Sequence, residues 1–215
     1  MIALEKVSKR YRARGEWRHV LREVSVTFPK GRSVGILGRN GSGKSTLMRL
    51  LAGAERPDSG LIRRDVRVSW PMGFSGGFQG SLSGRDNARF VARIYRADAA
   101  SVEDYVARFA ELGPYFDMPV STYSAGMRAR LALGLSFAID FDVYLVDELP
   151  GVGDARFAKR YAEEMAARRS RSDLILVSHQ AASIKSQCDM AAVLHSGTLT
   201  LFDDVAAAIR IYGKL

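Results

Sequence analysis

Gly38-Arg39-Asn40-Gly41-Ser42-Gly43-Lys44-Ser45 is the stretch that decides the fold. It satisfies G-x-x-x-x-G-K-[ST] in full, and its flanks are those the pattern requires. Before it lies a short apolar run, Ser33-Val34-Gly35-Ile36-Leu37, that reads as a buried parallel strand. After it the sequence turns helical from Gly43 through Thr46 and Leu51-Ala52, with a stop at Gly53. Glycines let successive backbone N–H groups converge on an anion, and the helix start adds its positive end. Lys44 neutralises β- and γ-phosphate oxygens, and the Ser45 hydroxyl suits a Mg²⁺ shell. The segment predicts a nucleoside triphosphate site.

Two further apolar runs extend the pattern. Val143-Tyr144-Leu145-Val146 ends in Asp147-Glu148, and Leu174-Ile175-Leu176-Val177 ends in Ser178-His179. Each precedes a helix-like segment, Ala155–Arg169 and Ala181–Gln187. The alternation predicts an α/β fold with a mostly parallel sheet and ligand groups beyond the carboxyl ends of its strands. Asp147 is placed to orient Mg²⁺, directly or through its waters. Glu148 can align a water at the γ-phosphate as general base, and His179 converges on the same edge.

Ile2–Lys6 and Glu23–Phe28 read as two short strands separated by a basic loop holding Tyr11 and Trp17. Met190–His195 and Thr198–Phe202 read as a hairpin joined at Ser196-Gly197. Residues 80–137 differ, with candidate helices at Asp86–Tyr95, Val102–Leu112 and Ala125–Ala138. They are expected to be a helical insert between core segments 1–79 and 138–215 of a single domain.

Composition narrows the class. Apolar residues make up 47% and charged residues 26% of the 215, ordinary globular usage. The longest membrane-like stretch, Leu131–Ile139, falls far short of the ~20 residues needed to span a bilayer. The first residues carry Glu5 and no apolar segment behind a basic start, so no secretory signal is expected. The single cysteine, Cys188, excludes an internal disulfide. A soluble cytoplasmic protein is expected, one that reaches a membrane, if at all, only through a partner. The net charge of +9 is uneven, because residues 1–32 hold nine Lys/Arg against three Asp/Glu. Such a cluster suits a solvated loop, nucleic acid, an anionic membrane surface or a polyanionic substrate.

Tyr123-Ser124-Ala125-Gly126-Met127-Arg128 opens a helix read as amphipathic, with Ser124 as N-cap and little side chain over its first N–H groups. With the phosphate segment and the Asp147-Glu148 strand, it resembles the ATP-binding cassette (ABC) ATPases. The resemblance spans nearly the whole chain. It implies a P-loop NTPase (RecA-like) core with an N-terminal antiparallel β part and an inserted helical subdomain. It further implies that Ser124–Met127 clamps ATP held by a second copy of the chain. The family's usual segment is Ser-Gly-Gly-Gln, so Ala125 and Met127 depart from it while Ser124 and the backbone donors remain. By the same resemblance Tyr11 stacks on adenine, Gln79 contacts Mg²⁺ and water, and Asp154 lies at the dimer interface.

A narrower likeness lies in Gly76-Gly77-Phe78-Gln79-Gly80-Ser81-Leu82-Ser83-Gly84-Arg85-Asp86-Asn87 and Val152-Gly153-Asp154-Ala155-Arg156-Phe157. These, with Tyr123-Ser124-Ala125-Gly126-Met127, are similar to the polysaccharide-exporting branch, and the pattern's run to Leu215 is similar to its capsular members. That implies an ATPase homodimer peripheral to the cytoplasmic face of an inner membrane. Its partners would be two membrane-spanning permease subunits and envelope-spanning partners, with no nucleic acid. A drug or lipid exporter with the same motor, or a nucleic-acid-acting ABC ATPase, are the alternative readings.

Overall fold

The apolar run Val34–Leu37 is buried along its whole length, as a strand covered on both faces must be. The computed structural model describes residues 1–13, 15–73, 77–147, 155–178 and 180–215. In chain order its elements begin with β1 (Ile2–Ala13), β2 (Glu16–Phe28), β3 (Val34–Leu37), α1 (Lys44–Ala52), β4 (Ser59–Arg64) and β5 (Val68–Pro71). Next come α2 (Gly84–Tyr95), α3 (Ala99–Ala110), two 3-10 turns, α4 (Ala125–Ala138), β6 (Val143–Asp147) and α5 (Ala155–Arg169). The chain closes with β7 (Asp173–Val177), α6 (Ala181–Gln187), β8 (Met190–His195), β9 (Thr198–Phe202) and α7 (Val205–Tyr212). It divides into two compact units: Met1–Pro71 with Phe141–Glu148 and Arg171–Leu215, and Met72–Asp140 with Leu149–Ser170.

In the first unit a six-stranded sheet runs β5-β6-β7-β3-β8-β9, parallel throughout except for β9. The expected α/β class with a mostly parallel sheet is therefore present. Register aligns Ile36 with Val177 and Val177 with Asp147, so β3, β7 and β6 end level. Gly38 and Asp147 thus leave one edge of the sheet. Beneath that edge Leu47, Leu50 and Leu51 of α1 join Val34, Ile36, Leu145 and Val177 in one buried cluster.

A three-stranded antiparallel sheet, β2-β1-β4, completes this unit. Its base is core, through Ile2, Leu4, Val7, Leu21, Val24 and Phe28. Its outer part corrects the sequence reading. Residues 9–13 and 16–22 are no loop; they form a two-stranded ribbon with pairs Lys9↔Leu21, Arg10↔His19, Tyr11↔Arg18, Arg12↔Trp17 and Ala13↔Glu16. The turn uses Gly15 at φ +88°. Polar residues on both ribbon faces erased the apolar alternation by which a half-buried strand is recognised.

In the second unit α4 and α5 keep their expected bounds, whereas α2 and α3 begin earlier than their apolar residues indicate, because caps set the start. The Ser83 side chain accepts from the Asp86 N–H at 3.0 Å and Asp98 from the Ser101 N–H at 2.8 Å, starting α2 at Gly84 and α3 at Ala99. The second half of α4, expected to be amphipathic, is buried on every side from Leu131 to Phe137. The unit also holds α5, outside the expected 80–137 insert. Phe157 meets Phe109 of α3 edge-on at 5.3 Å, and the buried Arg168 donates to the Phe137 carbonyl of α4 at 2.5 Å. Those contacts tie α5 to the helices.

β5 pairs with β6 through a register shift between Val68 and Pro71. Ser69, fully buried, repairs the ladder there: its hydroxyl accepts from the Leu145 N–H at 2.9 Å and donates to the Trp70 carbonyl at 2.7 Å. Ser69→Ala leaves a buried donor unpaired and is expected to cost about 1–3 kcal/mol. Thermal unfolding should show it as a fall of about 2–4 °C per kcal/mol. An unchanged melting temperature would contradict this account of the β5–β6 junction.

Candidate nucleotide-binding site

Past Leu37 the chain closes a turn, with the Ser42 N–H donating to the Arg39 carbonyl at 3.1 Å, and enters α1 at Gly43. Gly43 has φ +106°, and a Cβ there would lie 2.4 Å from Val20 Cγ1 of the ribbon. Both the backbone angle and the close approach demand glycine. No side chain caps α1 and no acid occupies its first turn, so its leading N–H groups are left for an incoming anion. The Lys44 ammonium donates to the carbonyls of Gly38 at 2.7 Å and Arg39 at 3.1 Å, which holds the charge inside its own loop. Ser42 Oγ is buried without a partner, an unsatisfied group of the kind a phosphate oxygen would satisfy.

Around this turn lies a cavity of about 460 Å³. Tyr11 and Val20 wall it from the ribbon, Asn40, Gly41, Gly43, Lys44, Ser45 and Thr46 from the phosphate loop, and Asp147 from the end of β6. The structure therefore brings together Tyr11, most of the Gly38–Thr46 segment and Asp147. An exposed hydroxyl on Ser45 and one carboxylate on Asp147 fit Mg²⁺, which is usually held by one or two protein oxygens plus substrate phosphates.

Tyr11 is held by residues that the sequence does not single out. Its hydroxyl lies 2.7 and 2.8 Å from the two oxygens of Glu55 and 3.4 Å from Thr46 Oγ1, and it accepts from Arg49 at 3.1 Å. Arg49 also donates to Glu55 at 3.0 Å and to Thr46 Oγ1 at 3.2 Å, while Lys9 pairs with Glu55 at 3.0 Å. Because Thr46 and Arg49 belong to α1, this network ties the aromatic wall to the phosphate helix. Burial pushes the Glu55 carboxyl up, but hydrogen bonds from Tyr11, Lys9 and Arg49 outweigh it and hold Glu55 below the usual carboxylate range. Glu55 sits in a polar turn, where a lone acid reads as solvated, so no local pattern announces it.

Gln79 and the Ser124 segment belong to the helical unit. Gln79 is clamped by Asn87 of α2, which is 2% exposed: Asn87 Oδ1 accepts from the Gln79 N–H at 3.1 Å, and Nδ2 donates to the Gln79 carbonyl at 3.3 Å. Ser124 caps α4, accepting from the Met127 N–H at 3.2 Å, and both Ser124 and Ala125 are exposed. A Cβ on Gly126 would meet only Ser124 Oγ, at 3.9 Å, so this unit does not itself require the glycine. Glu148, His179 and Asp154 lie outside the described residues.

Comparison with known proteins follows the same lines. Residues 21–150 match the family described as ABC transporter. The capsule polysaccharide export ATP-binding protein CtrD of Neisseria meningitidis serogroup B is 49% identical over 215 residues, covering 100% of both chains. The polysialic acid transport ATP-binding protein KpsT of Escherichia coli is 46% identical, covering 100% of this chain and 99% of that one. Among solved structures, the ATP-binding cassette MJ0796, a dimer bound to ADP and Pi, superposes with TM-score 0.76 at 18% identity, covering 93% of this chain and 96% of that one; this likeness concerns the fold.

Glu55→Gln tests the Tyr11 clamp. The substitution removes the charge from hydrogen bonds with Lys9 and Arg49 and is expected to cost about 1–2 kcal/mol at neutral pH. Because Glu55 is held below its unfolded value, its contribution is complete above about pH 4.5 and fades as the pH falls through the lowered value. The stability gap between the two proteins should therefore narrow in acid. ATP should also bind several-fold more weakly as the Tyr11 ring loses its tether, whereas equal ATP affinity would break the link between Glu55 and the adenine wall.

Proposed function

The chain belongs to the ABC transporter family of ATP-binding proteins, and from that premise we propose that it is the ATP-hydrolysing subunit of an exporter of capsular polysaccharide. Its end-to-end identity with proteins named for capsule polysaccharide export and polysialic acid transport is the observation that carries this reading. The whole chain, residues 1–215, acts as one cassette, with a nucleotide core and a helical signature subdomain.

Two copies sandwich two ATP molecules, each between the Gly38–Thr46 cradle of one copy and the Ser124–Met127 helix start of the other. Tyr11 stacks on adenine, a contact worth ~1–3 kcal/mol. The loop N–H groups and Lys44 hold the phosphates, and the Lys44 ammonium exchanges its carbonyl partners for phosphate oxygens. Ser45, Asp147 and Gln79 would hold Mg²⁺, which when bound would neutralise charge on the phosphates. Glu148 aligns the attacking water and accepts its proton, and His179 orients both water and γ-phosphate. Asp154 lies at the contact between the two copies. At Gly126, where the fold has room for a side chain, the bare backbone serves the partner copy's ATP.

No described helix is long and apolar enough to cross a membrane. Two permease subunits supply the path, envelope-spanning partners continue it, and this chain sits on the cytoplasmic face of the inner membrane.

Replacing the chromosomal copy with Glu148→Gln should give a protein that binds ATP but hydrolyses it at least about 10²-fold more slowly. The cell surface should lack capsule while lipid export continues. Normal hydrolysis would remove Glu148 from its role, and normal surface capsule would overturn the export reading.

A further inference from the structure

The ribbon that carries Tyr11 has a second face, which does not line the nucleotide cavity. Side chains alternate across a strand, so cross-strand pairs sort the ribbon into two sets. Tyr11, Ala13, Glu16, Arg18 and Val20 share one face, and Tyr11 and Val20 line the nucleotide cavity. Arg10, Arg12, Trp17 and His19 share the other, and all four are exposed. Trp17 is 57% exposed, the joint-highest value among the described large hydrophobic residues. The Arg10 guanidinium lies over its ring, 4.5 Å from the centroid. β4 pairs with β1 only as far as Ser8↔Ser59, so beyond Lys9 the ribbon projects as two strands.

We propose that the outer face of the ribbon, Arg10, Arg12, Trp17 and His19, docks on the anionic phospholipid headgroups of a membrane surface. Charge complementarity carries the choice, because this face presents two arginines and no acid, and the acid at the ribbon's tip, Glu16, falls on the nucleotide face. The aromatic residue separates lipid from nucleic acid. Single-stranded nucleic acid stacks on open aromatic faces, whereas Arg10 covers one face of Trp17. At a headgroup boundary a tryptophan instead places its apolar body and N–H at the level where arginine meets phosphate. The inference deepens the peripheral-subunit reading and rests on it. It adds that the chain contacts lipid itself, through the ribbon whose inner face bears the adenine wall.

The sequence holds two tryptophans, Trp17 and Trp70, so Trp70→Phe leaves Trp17 as the sole indole reporter. With that full-length protein at low salt, Trp17 emission should shift to the blue on phosphatidylglycerol-containing vesicles and stay unchanged on pure phosphatidylcholine. Arg10→Gln with Arg12→Gln should weaken vesicle partition about thirtyfold, from two surface charges removed, and added salt should weaken it further. ATP affinity should be unchanged, which also reports an intact fold. Equal binding to both vesicles, or binding that ignores the arginine substitutions, overturns the proposal. Displacement of the vesicles by a single-stranded oligonucleotide that shifts Trp17 emission itself overturns it in favour of nucleic acid. If the vesicle results fail while Glu148→Gln still abolishes surface capsule, the lipid contact falls and the export reading stands.

Discussion

A single close approach governs the nucleotide site: the backbone at Gly43 presses on Val20 with no room for a Cβ between them. It fixes where the ribbon stands relative to the phosphate loop. Were that spacing wider by a methyl group, the Tyr11 wall would draw back from the cradle, and one cavity could not serve both an aromatic base and a polyphosphate. The Tyr11–Glu55–Arg49–Thr46 network holds the same spacing from the other side by hydrogen bonds. Packing and polar contacts thus constrain the same pair of elements, as a preorganised site requires.

The positive excess of the chain is divided among distinct tasks. Lys44 stays within its loop on backbone carbonyls, and Lys9 and Arg49 hold Glu55 ionised. In the helical unit Arg160 donates to the Arg108 and Phe109 carbonyls near the end of α3, and Arg168 to Phe137 in the last turn of α4, where backbone acceptors lack helical partners. Arginine suits such places because its planar fork serves several acceptors at once. Arg10 and Arg12 have no comparable anchoring acid on their own ribbon face.

Much of the fold was legible in the sequence because its strongest signals are local. The glycine-rich turn, the buried runs at 143–146 and 174–177 and the helices at 155–169 and 181–187 announce themselves through spacing and apolar continuity. What was hidden depends on tertiary context. The outer ribbon is polar on both faces, so 9–22 looked like a loop. β4, Ser-Gly-Leu-Ile-Arg-Arg, is an exposed edge strand with little apolar pattern, and α7 follows a hairpin that reads as an ending. In the site, Tyr11, Lys44 and Asp147 could be named from motif or resemblance. Glu55 could not, because it acts on Tyr11 across 44 residues of sequence. Asn87 lies only eight residues from Gln79 and within the quoted Gly76–Asn87 stretch, but its clamping of the Gln79 backbone depends on the turn between them and no residue pattern marks it.

The central claim is that every ATP is shared, cradled by one chain and closed by the Ser124 helix start of another. Mixing two inactive variants tests it directly. Lys44→Ala spoils the cradle and Ser124→Arg obstructs the helix start, so each protein alone should be without turnover. In a mixed pair the good cradle of one meets the good helix start of the other, and hydrolysis should return to a substantial fraction of the native rate. Two variants that stay inactive when mixed, or a native protein that turns over fully as a monomer, would contradict the account.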